Sequence, residues 1–232
     1  MKIGKAISFI FDDPDWWKKL LIGSVIILIP IIGWFVLLGW RLEIIKRVAQ
    51  EHHEPLPSFD DFGDYLTRGF NSFLVQIVFK SPIILFFIVA FFLFLVPFFP
   101  NGNVTDETLG ILVLFLIGGA IIALPIDFIL ALFERSAQIE LAVKGKLSSS
   151  FALTEVYALV KSSWVQLVLA LIAIFLAGMI IHSLGSVLLI VGTLLAQVIL
   201  SAFSGHLYGQ IYNNFKPLVT TAPTADPNVI TM

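Results

Sequence analysis

Apolar residues along this chain fall into long, nearly unbroken runs: Leu20–Trp40, Pro82–Phe99, Leu109–Phe133, Trp164–Ile181 and Ser186–Phe203. Pro82–Phe99 is eighteen residues, seven of them Phe. A bilayer-spanning helix takes about 20 apolar residues, so this run just crosses. Leu109–Phe133 is long enough to cross with tilt, and Gly118-Gly119 and Pro125 predict a kink in it. Trp164–Ile181 and Ser186–Phe203 are joined only by His182-Ser183-Leu184-Gly185. So short a joint predicts an antiparallel helical hairpin. The fold class expected is therefore all-α, a polytopic membrane helix bundle of antiparallel hairpins.

The segments between the runs alternate in charge. Asn101–Thr108 and the 182–185 joint carry no Lys or Arg. By contrast, 41–80 carries Arg41, Lys46, Arg47, Arg68 and Lys80, and 134–163 carries Arg135, Lys144, Lys146 and Lys161, while Lys216 follows the last run. Short cytoplasmic loops collect Lys and Arg, so the basic segments belong inside and the other two outside. All fourteen Lys and Arg then share one side, and both termini are expected in the cytoplasm of a multi-pass cell-membrane protein.

The first run tests that pattern. A single crossing over Leu20–Trp40 would put Lys2, Lys5, Lys18 and Lys19 outside and make five crossings. Pro30-Ile31-Ile32-Gly33 stands at its middle and predicts a break. The favoured reading is a re-entrant hairpin, Leu20–Ile29 in and Trp34–Val48 back, beside four full crossings. Its tip must be covered by protein, because lipid satisfies no backbone polar group. Three amphipathic entries, 12–23, 59–79 and 151–169, each precede a hairpin and read as a weak internal repeat of interfacial helices. Asp13-Pro14-Asp15 has the form of a helix start, and Ser58 before Asp61 that of a capping box. Trp16, Trp17, Trp34, Trp40 and Trp164 fall near expected span ends, where indoles favour the headgroup zone. Residues 1–216 form one transmembrane domain, and the Thr-, Pro- and Ala-rich 217–232 reads as a disordered C-terminal tail.

Composition agrees with membrane burial: 58% of the 232 residues are hydrophobic and 13% charged. Soluble domains average about 25% charged residues. A net charge of −2 gives no field that would draw nucleic acid. The absence of cysteine removes disulfides and thiol chemistry. Asp12, Asp13 and Asp15 interrupt the N-terminal apolar stretch, so a cleavable signal peptide is not expected.

The run DDPDWWKKLLIG, then IPIIG with LLGW, then LPSFDDFGDYLTRGF resembles the prokaryotic membrane-protein family known as domain of unknown function 4013. The likeness covers roughly residues 9–75 well, with a fit through the last hairpin. It implies an integral membrane protein of bacteria or archaea. It brings no activity, so it assigns no catalytic residue.

Four candidate features remain. Asp127 is the acid inside an expected span. Lys80, twenty residues before Pro100, and Asp127, twenty after Glu107, share a depth on antiparallel helices. They are expected to form a structural ion pair; a proton path is the sharper alternative. Ser201, Gly205 and Gly209 lie at i, i+4 and i+8 on one helix-packing face, filled by the chain's own helices or by a partner. Glu51-His52-His53-Glu54 looks like a metal cluster, but neighbouring residues on a helix point about 100° apart and do not converge, so no metal or cofactor is expected. His182 and His206 have no nucleophile or paired carboxylate beside them. The acidic groups Asp12/Asp13/Asp15 and Asp60/Asp61/Asp64 read as helix-start chemistry rather than docking. The expected function is a non-enzymatic accessory or scaffold component contacting membrane lipid, other membrane-protein subunits or a second copy of itself. The alternative is a permease-like transporter of an apolar or lipid substrate.

Overall fold

A computed structural model describes residues 1–51, 56–95 and 105–221. Its helices are α1 (Ile3–Phe11), α2 (Trp16–Ile27), α3 (Ile32–Ala49), α4 (Phe62–Leu95), α5 (Asp106–Lys144), α6 (Leu153–Ser186) and α7 (Leu189–Thr221), with a 3-10 turn at Leu147–Phe151. No strand occurs among the described residues. Among the described residues, four helical segments are long and apolar enough to cross a membrane: Phe62–Leu93, Leu109–Lys144, Leu153–Ser186 and Leu189–Lys216.

The run Leu20–Trp40 is broken, as Pro30 predicts. The chain turns at 28–31, where Ile31 takes φ 65°, a strained conformation for a β-branched residue. Gly33 makes the turn possible, since a Cβ there would sit on the Ile26 carbonyl. Both arms return to one base. Asp13 Oδ2 accepts from the Leu56 amide at 3.2 Å, Lys19 Nζ donates to the Leu56 carbonyl at 2.6 Å, and Trp40 Nε1 donates to the Pro57 carbonyl at 2.9 Å. Trp40 is thus fully buried and stacked on Phe59 with ring centroids 5.1 Å apart, not in a headgroup belt. The 56–59 segment folds back over it and supplies the acceptor its N–H needs.

Helix packing follows from where glycine lets backbones meet. Lipid gives helices no hydrophobic reason to associate, so close van der Waals approach carries much of the work. At the α3/α4 crossing a Cβ on Gly39 would sit on the Tyr65 carbonyl, and one on Gly69 on the Phe35 carbonyl. At the α6/α7 turn Gly185 and Gly192 meet in the same way. α3 and α7 run parallel: Gly205 faces Arg41 and Ile44, Gly209 faces Ile45 and Val48, and Asn213 Nδ2 donates to the Val48 carbonyl at 2.7 Å. α1 lies along the same end of α7, with the Lys2 amide donating to Gln210 Oε1 at 2.6 Å and Phe9 4.6 Å from the His206 ring.

Several boundaries differ from those read in the sequence. The expected interfacial connectors are the first turns of α4 and α6, not separate helices. α4 continues through Pro82, because Ser81 Oγ donates at 2.8 Å to the Val78 carbonyl that proline leaves without its amide donor. α5 runs past Phe133 to Lys144, as no breaker intervenes before Gly145. The last hairpin turns at 187–188, beyond the 182–185 joint. His182 is therefore inside α6, and Ser186 Oγ donates within that helix to the Ser183 carbonyl at 2.7 Å. α2 starts at Trp16, where Asp13 Oδ1 accepts the Asp15 amide at 2.8 Å rather than capping at Pro14. α4 starts at Phe62, and the Ser58 carbonyl accepts from the Tyr65 hydroxyl at 2.9 Å, so Ser58 sits upstream of the helix instead of capping it. Helical backbone continues past Pro217 to Thr221, while 222–232 lies outside the described residues.

Candidate functional site

A polar chamber lies where five helices meet. It is a partly open cavity of about 250 Å³. Arg41 comes from α3, Gln76 from α4, Arg135 from α5, and Gln197, Ser201, Ser204 and Tyr208 from α7; Trp34, Leu37, Leu38, Ile174 and Leu200 complete its wall. Trp34 is the exposed member of this lining, at 45%.

Each polar group reaches the chamber for a local reason. On α5, Glu134 and Gln138 are one turn apart, and Gln138 Nε2 donates to Glu134 Oε1 at 3.0 Å. That bond turns the Gln138 carbonyl oxygen toward α3, where Arg41 Nη2 donates to it at 2.7 Å. Arg135 Nη1 lies 3.3 Å from Glu134 Oε1, with its guanidinium 6.0 Å from the Tyr208 ring centroid. Both guanidinium groups remain under-satisfied: Arg41 Nε and Arg135 Nε are buried without a hydrogen-bond partner, and so is Gln76 Nε2. These are three donors with no acceptor, on three different helices. No carboxylate among the described residues forms an ion pair with Arg41. Burying a charge in this state is costly.

Lys80 and Asp127 stand beside this cluster. Lys80 Nζ is 2.6 Å from Asp127 Oδ1 and 3.9 Å from Glu134 Oε2. The pair therefore joins α4 to α5 and extends into the chamber's ionic network. The stripe Ser201, Gly205 and Gly209 is divided. Ser201 lines the chamber. Gly205 and Gly209 are covered by α3, with a Cβ at Gly209 falling 2.9 Å from the Ile45 carbonyl oxygen. That face is occupied within the chain and offers no partner surface. His206 is buried beneath Phe9, its Nδ1 2.9 Å from Gln210 Nε2. Of the Glu51–Glu54 stretch, residues 52–54 lie outside the described residues. No group of three metal-ligating side chains occurs among the described residues.

Other ion pairs tie the helices together near the basic end of the bundle. Glu43 of α3 takes Arg68 of α4 at 2.6 Å, Lys144 of α5 joins Glu155 of α6, and Lys19 takes Asp13 at 2.6 Å. Burial acts to raise the Asp13 carboxyl pKa. The Lys19 ammonium and the Asp15 and Leu56 amides outweigh it and hold the carboxyl below its ordinary range. Asp13 and Asp64 are thus structural: Asp64 pairs with Arg68 at 2.8 Å.

A second cavity is wholly apolar. It is a groove of about 510 Å³ between α1 and the α6/α7 hairpin, lined by side chains that include Ile7, Phe11, Ala177, Leu188, Ala196 and Phe203.

The sequence pattern missed Arg41, Gln76, Glu134, Arg135 and Gln138 as site residues, placing the arginines in loops. The available signal was the uninterrupted stretch from Phe133 to Lys144. It keeps Glu134 and Gln138 on a helix at i, i+4.

Comparison with known proteins gives a consistent assignment. The chain is 28% identical over 162 residues to a protein of Methanocaldococcus jannaschii described as "Uncharacterized protein MJ1189", a match covering 68% of this chain and 52% of the relative. The chain thus spans about half the length of that curated relative. No solved structure matches it. The profile described as protein of unknown function (DUF4013) matches residues 22–200, and the chain belongs to that family.

Proposed function

We propose that this chain is a non-enzymatic, multi-pass component of the cell membrane whose work is contact with lipid. The observation that carries the reading is the groove between α1 and the α6/α7 hairpin. Its lining holds no polar side chain. It is continuous with the exposed apolar turn formed by Leu184, Val187, Leu188 and Leu189. An acyl chain is the occupant such a surface suits, because it asks for no hydrogen bond.

The topology proposed with it has four crossings, a re-entrant α2/α3 hairpin, and residues 2 and 216 on the cytoplasmic side. Three features support it. The amide of Lys2 is bonded to Gln210 at the basic end of α7. Both arms of the α2/α3 hairpin meet at Leu56–Pro57. From Val48 to Ile32, α3 rises about 24 Å along α7, less than the about 30 Å of a hydrocarbon core.

Replacing Ala177 with Trp would obstruct the groove. Native mass spectrometry of protein extracted in mild detergent should then show loss of co-purifying lipid that the wild type retains. Equal retention by both would remove the reading. A permease-like protein for a lipid substrate is the second reading, favoured by the polar chamber, which is open past exposed Trp34. Substrate flux in liposomes, lost on Arg41→Met, would promote it. A scaffold for protein partners loses its main support because α3 covers Gly205 and Gly209.

A further inference from the structure

We propose that the Arg41/Arg135 chamber is a binding site for the phosphodiester headgroup of an anionic membrane lipid. This rests on the lipid-contact reading above and adds a headgroup, a charge and a position to it. Four observations converge on this ligand.

The first is charge. Arg41, Lys80 and Arg135 bring three positive charges to the cluster, and Asp127 and Glu134 bring two negative ones. The cluster is left with one excess positive charge, and Arg41 is the cation with no carboxylate. A phosphodiester carries a single negative charge and neutralises it. A free phosphate or a phosphomonoester, with about −1.5 to −2 at neutral pH, would overshoot.

The second is hydrogen bonding. Arg41 Nε, Arg135 Nε and Gln76 Nε2 are buried donors without acceptors. Guanidinium groups match the oxygens of a phosphate in paired geometry. Ser201, Ser204 and Tyr208 add hydroxyls to the same wall.

The third is size. At about 250 Å³ the chamber falls below the range of about 300–1,000 Å³ usual for whole drug-sized ligands. It suits a headgroup whose tails remain outside.

The fourth is depth. Asp127, bonded to Lys80 at the edge of the cluster, and Arg135, on the chamber wall, lie twenty-one and twenty-nine residues beyond Asp106 on one continuous helix. Those are about 31 and about 44 Å, against about 30 Å for the hydrocarbon core and about 40–45 Å with both headgroup regions. The cluster therefore spans the headgroup zone of the opposite leaflet. Exposed Trp34 on the chamber wall gives the lipid tails an apolar exit.

The full chain in dodecyl maltoside, stripped of lipid, tests this with three probes: dioleoyl phosphatidylglycerol, dioleoyl glycerol with the same tails and no phosphate, and sodium phosphate. Phosphatidylglycerol should be retained in native mass spectra and raise the thermal midpoint. Dioleoyl glycerol should bind at least tenfold more weakly at this site. Sodium phosphate at millimolar concentration should neither protect nor compete. Arg41→Met should weaken phosphatidylglycerol binding at least tenfold and abolish its thermal shift, yet raise the lipid-free midpoint by removing the uncompensated charge. If that variant does not fold, Gln76→Leu, which leaves every charge in place, should show a several-fold loss of the same binding. Equal retention of the two lipids would overturn the headgroup site and leave lipid contact through the groove standing. Retention of neither would remove both. Protection by sodium phosphate equal to that by the lipid would assign the chamber to a free anion instead.

Discussion

Replacing Gly69 with Ala should destabilise the bundle by about 2 kcal/mol, although alanine is the better helix former. A Cβ at Gly69 would sit on the Phe35 carbonyl oxygen and 3.0 Å from the Gly39 amide nitrogen, where ordinary van der Waals contact begins at 3.4 Å. The obstacle is backbone on a helix and cannot rotate away, so α3 and α4 must separate. A gap of about 0.5–1 Å already forfeits a quarter to a half of each contact's well depth. The contacts at stake include Phe35 against Phe70 and Phe73, with ring centroids 5.7 and 5.2 Å apart. Overpacking of this kind costs about 1–3 kcal/mol, and an immovable obstacle puts Gly69 at the upper end. Helix propensity returns about 1 kcal/mol. Gly118 is the control: nothing lies within 4 Å of its Cβ position, so Gly118→Ala should stabilise by about 0.5–1 kcal/mol. Equilibrium unfolding in mixed micelles reads both, with buried Trp40 beside the crossing as a fluorescent reporter. If Gly69→Ala matched the wild type, or moved with Gly118→Ala, the backbone-contact argument would be refuted.

Three further outcomes are expected. Asp13→Asn should cost about 1.5–3 kcal/mol at pH 7, the worth of hydrogen bonds to a charged group. Because the folded carboxyl titrates below its unfolded value of 3.8, this stabilisation is present above that value and is lost as pH falls through the lower folded one. Thermal midpoints of the two proteins should therefore converge as pH is lowered below 3.8; a constant difference would place the effect outside the carboxylate. Lys80→Met and Asp127→Leu should each destabilise more than the double replacement, with a coupling of about 1 kcal/mol or more in a double-mutant cycle on thermal stability. Gly209→Leu should lower the unfolding midpoint by forcing α7 off Val48 and Ile45 while leaving the oligomeric state by light scattering unchanged.

How far the sequence disclosed this architecture depended on which physical signal each residue carried. Hydropathy located the long spans, since lipid-facing surface is written in composition. Pro30 located the break between α2 and α3. Lys80 and Asp127 could be matched by counting residues from one link, because helical rise is constant. Ends of helices were less legible. Span limits were set where polar residues begin, but hydrogen bonding stops a helix, and the stretches after Phe133 and Gly185 hold polar residues without a breaker. The α3/α4 crossing was invisible for another reason. Gly39 and Gly69 are thirty residues apart and belong to no motif. Only the path of both helices shows that each removes a side chain from the same spot.

The chamber is hidden in the sequence for the same reason: the polar residues after Phe133 do not end α5. Ending the span at Phe133 sent Glu134 and Arg135 to a cytoplasmic loop, where charges are unremarked. With α5 continuing to Lys144, those residues and Gln138 are set against Arg41, which the charge pattern alone marks only as part of a basic loop. Basic residues that orient a membrane protein are placed near the headgroups by the rule that makes them informative. When helices carry them into a bundle at that depth, they are also placed at the level of lipid phosphate. The proposed headgroup site rests on this coincidence: Arg41 Nε is buried without a hydrogen-bond partner, and no carboxylate among the described residues forms an ion pair with Arg41.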